Sequence, residues 1–168
     1  MAVSMYPISV PVFIKHLNGL AGCLKKAQAH YAEKKYDEAS LLNYRFYPDM
    51  FSFARQVQAM ADHAKNCTAL LAGVEAPKYE DNEKSLAELV ARLEKTVEFL
   101  KTVKPAQIDG TEEKPITIKM RDRELNMKGV ELALNHSLPN FYFHATTAYD
   151  ILRHNGVELG KRDFMGNA

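Results

Sequence analysis

Apolar positions along this chain recur at alternating steps of three and four, the spacing that lays a single stripe along a helix. Val10, Phe13, Leu17, Leu20, Leu24, Ala27 and Tyr31 make the first stripe and predict a helix from about Ser9 to Lys34. Met50, Phe53, Val57, Met60, Ala64, Cys67 and Leu71 repeat the alternation in a second helix, with Pro48 and Asp49 expected in its opening turn and Gly73 at its close. A third stripe runs through Leu86, Leu89, Leu93, Val97, Leu100 and Val103. Ser85 and Glu88 stand before it at capping-box spacing, and Pro105 is expected to stop it. The period then falls to two: Ile116, Ile118 and Met120 alternate with Thr117 and Lys119, and Leu125 and Met127 with Glu124 and Asn126. This predicts a small hairpin turned at Arg121 and Asp122. Leu134, Leu138, Phe141, Ala145, Ala148 and Leu152 return to helical spacing and end at Asn155 and Gly156, a left-handed stop. A short helix, Glu38 to Leu42, fills the first connection.

Amphipathic helices joined by mostly short connections bury their stripes most simply against one another. The expected fold is therefore an all-α four-helix bundle with the β-hairpin as an appendage between the third and fourth helices. Pro139 interrupts the fourth pattern: it has no N–H, and its ring crowds the carbonyl of Asn135, so a bend or a restart is expected there.

Composition narrows the partners more than the chemistry. A length of 168 residues without a Gly/Ser- or Pro-rich linker suits one domain over residues 1–168. Lys and Arg number 22 against 21 Asp and Glu, and neither sign gathers into a run, so no nucleic-acid surface is expected. The N-terminal apolar segment lacks a preceding basic stretch and is broken by Pro7 and Pro11, and no later stretch is apolar enough to span a bilayer. A cytoplasmic protein with no membrane contact is the expectation. Cys23 and Cys67 show no CxxC spacing and lie within helices, which reads as two buried free thiols.

Candidate chemistry concentrates near the C-terminus. Asn140 and His144 stand four residues apart on an apolar helix and so point to one interior, where buried polar groups need partners or a ligand. His63 flanks the stripe of the second helix, while neighbouring Asp62 is expected to face solvent. Arg45 and Asp49 are expected to pair at the opening of that helix. The tail from Gly160 to Phe164 carries one apolar anchor, Phe164, for the bundle or for a second subunit. No GxSxG, glycine-rich phosphate loop or HExxH is present, so catalysis is not established.

The ending PNFYFHATTAYDILRHNGVELGKRDFMG, together with RFYPDMFSFARQVQAMADHAK in the second helix, resembles an uncharacterised domain-of-unknown-function family in the DinB/YfiT-like metalloenzyme superfamily. The resemblance covers nearly the whole chain and implies a DinB-like fold, often dimeric. It also implies a divalent metal held by three histidines, one on the second helix and two at HxxxH spacing on the fourth. Those positions fall near Gln56 and on Asn140 and His144 in this sequence, so only His144 keeps a ligand type. Imidazole binds zinc or nickel well, whereas an amide carbonyl is a weaker, harder ligand. His136 extends Asn140 and His144 into a ladder with steps of four, across the interruption at Pro139. Two readings follow. One is a small-molecule site around Gln56, His63, Asn140 and His144, with a possible zinc or nickel ion at His144. The other is a non-catalytic bundle that forms a homodimer or binds a partner, in which Gln56, Asn140 and His144 make a hydrogen-bonded network with Tyr142 or Tyr149.

Overall fold

The computed structural model describes residues 4–120 and 122–167. The first stripe forms α1, Val10–Lys34, with Pro11 in the first turn, where no N–H is required, and left-handed Lys35 at its end. Next comes α2, Glu38–Leu42, whose cap Asp37 accepts a hydrogen bond from the Ala39 N–H at 3.0 Å. The second long helix, α3, spans Phe53–Ala72 and ends at left-handed Gly73. It therefore starts later than the stripe suggests. The Phe53 N–H donates to the Tyr44 carbonyl at 2.8 Å, which closes residues 44–53 into a loop and leaves Pro48, Asp49 and Met50 ahead of the helix.

The third long helix, α4, spans Leu86–Thr102, and Ser85 caps it by accepting from the Glu88 N–H. The returning arm of the expected box reaches Lys84 instead: the Glu88 carboxylate accepts from that N–H. Pro105 does more than follow the stop, because it opens the short α5, Pro105–Ile108. Strands β1, Pro115–Lys119, and β2, Glu124–Lys128, pair antiparallel with Ile116 opposite Met127 and Ile118 opposite Leu125. Of the two expected turn residues, Arg121 lies outside the described residues.

The chain re-enters helix through α6, Gly129–Glu131, and then a π-helical turn, Leu132–Ser137, before α7, Leu138–His154. Pro139 sits in the first turn of α7, so the expected irregularity is real but lies on its N-terminal side. The Leu138 N–H reaches back five residues to the Ala133 carbonyl, the widened spacing that defines the π turn. Gly156 takes the left-handed conformation after α7, and α8, Lys161–Phe164, follows.

The protein is thus mostly helical, with a two-stranded antiparallel hairpin. The four long helices pack around a ring in the order α1, α4, α3, α7, and short helical segments raise the helix count above four. Phe13, Leu17, Leu24, Phe53, Met60, Leu89, Leu93 and Phe141 fill the interior, and Cys23 and Cys67 are buried free thiols. The hairpin is held more firmly than an appendage would be. Ile116 is buried, and Lys114 Nζ donates to the carbonyls of Leu70 and Leu71, both at 2.9 Å, at the end of α3. Gly129 fits against the Thr111 carbonyl, which a Cβ would overlap. The tail folds back on α1: Asp163 accepts from Lys26 Nζ at 2.5 Å, and Phe164 packs on His16 and Tyr149. No described helix is long and apolar enough to cross a membrane.

Candidate functional site

The pairing of α3 with α7 brings Gln56 and His144 together across 88 residues of sequence. Both are buried, Gln56 at 1% exposure and His144 at 8%, and Gln56 Oε1 lies 2.7 Å from His144 Nδ1. The other end of the amide settles the proton. Gln56 Nε2 donates to the Phe51 carbonyl at 3.4 Å, so the oxygen faces the imidazole and His144 Nδ1 must carry the hydrogen. Burial pushes the His144 pKa below its ordinary value, and the guanidinium of Arg55 adds to the depression. The ring is therefore neutral at physiological pH, with Nε2 left as its lone-pair nitrogen.

His63 lies about two turns along α3 from Gln56. Its ring is nearly parallel to that of His144, at 17° and 5.6 Å between centroids, and stands 5.7 Å from the ring of His136 in the π turn. Burial lowers the His63 pKa to about 4; His144 and His136 push the same way, and Asp62 opposes them weakly. His63 and His136 open onto a cavity of about 280 Å³, walled by Leu70, Ile118 and Leu132, with Cys67 and Ser137 behind. Apolar walls with a few convergent polar groups are the usual make-up of a small-molecule pocket. The Cys67 thiol is not a reactive member of it, since burial raises its pKa to about 12. The aromatic rings of Phe51 and Phe143 flank His144 on its outer side, at 6.0 and 5.2 Å between centroids.

Of the four residues singled out from sequence, three meet and one does not. Gln56, His63 and His144 form one cluster, whereas half-buried Asn140 turns along its own helix and donates from Nδ2 to the His136 carbonyl at 2.6 Å. Neither Tyr142 nor Tyr149 donates to the cluster among the described hydrogen bonds; Tyr142 packs its ring on His16 and Phe141. Asp62 does not face solvent freely. It accepts from Arg92 at 3.1 Å and pairs with Lys65 at 3.3 Å. Arg45 donates to the Met50 carbonyl at 3.3 Å, and no Arg45–Asp49 ion pair occurs among the described residues, because Asp49 lies in the loop ahead of α3. The cavity-facing role of His136 and the wall residue Ile118 have no local signal in the sequence. Both depend on the hairpin folding back onto α3.

The donor set bears on a metal. At the three positions the superfamily pattern assigns to ligands stand two amides and one imidazole; Gln56 spends both ends of its amide on protein partners, and Asn140 donates from Nδ2 to the His136 carbonyl. A catalytic zinc site takes three protein ligands, mostly imidazole or carboxylate, so Gln56, Asn140 and His144 do not fit such a centre as they stand.

Residues 5–165 match a family model described as a domain of unknown function, DUF1993. No curated protein matches the chain. A crystal structure of a DinB family member protein from Shewanella denitrificans is similar at 41% sequence identity and a TM-score of 0.85, over 95% of this chain and 90% of that one. The match to the family model over nearly the whole length, together with this likeness in fold, shows that the chain belongs to the DUF1993 family and has a DinB-like fold.

Proposed function

We propose that the four long helices act as a DinB-like bundle, one domain over residues 1–168, that binds a compact small molecule in the cavity lined by His63 and His136. The observation that carries this reading is a pair of half-buried imidazoles, His63 and His136, opening onto a mostly apolar space of about 280 Å³. That volume is at the small end for ligand pockets, so the ligand is compact. A neutral imidazole offers one donor and one acceptor, which selects a ligand with complementary polar atoms on an otherwise apolar body. His144 and Gln56 contribute from behind, by fixing the cluster against α7. A base with a pKa near 4 is poorly matched to proton abstraction at neutral pH, so His63 serves recognition better than general-base chemistry. A metal-assisted version, with zinc or nickel at His144, is a separate claim that metal analysis of untagged protein decides.

A fragment screen read by thermal shift tests the proposal. Fragments that raise the midpoint of wild-type protein are expected to lose that effect in both His63→Ala and His136→Ala, each checked for native helicity by circular dichroism. Hits that stabilise both variants as well as wild type would place binding elsewhere and end this reading.

A second reading rests on a different observation. Phe143 is 59% exposed and Phe51 48%, and the two rings leave aromatic surface open beside His144. Exposed apolar surface of this kind marks contact sites in soluble proteins, and a homodimer would cover it.

A further inference from the structure

We infer that the Gln56–His144 hydrogen bond stands where the superfamily pattern places a metal ion, and that it braces α3 against α7 without one. The argument begins with what each polar atom already does. Gln56 Oε1 accepts from His144 Nδ1 at 2.7 Å, and Gln56 Nε2 donates to the Phe51 carbonyl at 3.4 Å, so both ends of this amide are occupied. Asn140 Nδ2 donates to the His136 carbonyl at 2.6 Å, which directs that amide along its own helix and away from His144. The three positions thus supply a single imidazole and no carboxylate or thiolate, where zinc, nickel or cobalt at such a site requires several nitrogen, sulfur or anionic oxygen donors.

What remains is the mechanical part of a metal's role. A ligated ion ties side chains from two helices to one point, and here a buried amide and a neutral imidazole tie the same two helices directly. The bond is shielded from water at both ends, since the two residues are 1% and 8% exposed. Chelators should therefore leave the fold unchanged. The missing donors are also identifiable: replacing both amides with imidazole, Gln56→His with Asn140→His, restores one ligand on α3 and an HxxxH pair on α7.

Cobalt(II) titration read by visible absorption, with zinc-dependent thermal shift alongside, tests this. Untagged wild-type protein is expected to develop no cobalt band in proportion to protein and to show the same melting midpoint in zinc and in chelator. The double variant is expected to take up one equivalent of cobalt. At zinc a hundredfold above its Kd, its midpoint should rise by about 5–10 °C. His144→Ala in that background should remove both effects. The inference is overturned if wild type binds one equivalent of cobalt and loses it in His144→Ala, a result that decides the matter even if the double variant does not fold. It is equally overturned if the double variant folds, as circular dichroism reports, yet binds no cobalt.

Discussion

His63 shows how much a side chain's chemistry depends on neighbours that lie far away in sequence. From the chain alone it is a histidine at the edge of a helical stripe; in the fold it packs against His144 and His136, and burial drives its pKa from 6.5 to about 4. The consequence for stability has a definite sign. The unfolded chain protonates His63 near pH 6.5 and the folded chain only near 4, so between those values the unfolded state binds the extra proton. His63 thus costs no stability above about pH 6.5, and folding weakens as pH falls from 6.5 toward 4, by on the order of 2 kcal/mol after allowance for its partial exposure. Urea unfolding at pH 7 and pH 4.5 should show this loss, and His63→Gln should remove most of it; an unchanged pH dependence in the variant would contradict the burial account. His144 was recognisable from sequence as a polar residue on an apolar face and Gln56 through the family resemblance, and the two do meet. Asn140 shared that signature but turns back to the His136 carbonyl, because spacing places a side chain on a face without showing which acceptor on its own helix it will take.

At the scale of elements, periodicity located the four long helices, the hairpin and the short Glu38–Leu42 helix, because each long apolar stripe is a physical demand for burial. It failed where local bonding overrides the stripe. Met50 continues the pattern of α3 on paper, yet the Phe53 N–H is taken by Tyr44 and the helix starts there. Pro139 signalled an irregularity, but the lost donor is accommodated by a π turn on its N-terminal side, and that turn is what sets His136 at the cavity. The connection between α3 and α4 carries no stripe at all, and it is held by side chains of the two helices, among them Arg55, Gln58, Lys65 and Arg92. The Arg92 guanidinium, with its side chain 3% exposed, reaches Asp62 at 3.1 Å, Asp81 at 2.9 Å and Glu83 at 2.9 Å. Removing a buried ion-pair partner costs about 3–5 kcal/mol because the remaining charges lose their compensation. Arg92→Ala is therefore expected to destabilise the protein by about 3 kcal/mol in urea unfolding. It should also make residues 73–85 the first site of limited proteolysis. Cleavage at an unchanged rate in that segment would show that the loop is held by something else.

At the scale of the whole molecule, the helices alone do not make the proposed site; it also needs the hairpin and the π turn. Ile118 from β1, Leu132 and His136 from the π turn, and His63 from α3 line one space, and they come from three separate elements. The fold class was accordingly legible and the cavity was not, since a long-range contact between a hairpin and a helix leaves no periodic trace. The same scale governs assembly. If the exposed aromatics beside His144 meet a second copy, analytical ultracentrifugation will report a dimer that Phe143→Asp with Phe51→Asp reduces to monomer; a wild-type monomer at all concentrations would leave those rings without a dimer to cover them. The account rests on the His63 and His144 imidazoles held neutral by burial, and two-bond proton–nitrogen NMR of the histidine rings across pH reads that state directly. It predicts the Nδ1–H tautomer for His144 and a His63 ring that stays neutral until the pH approaches about 4. A His63 ring that titrates near 6.5, or a His144 ring protonated on Nε2 alone, would contradict it.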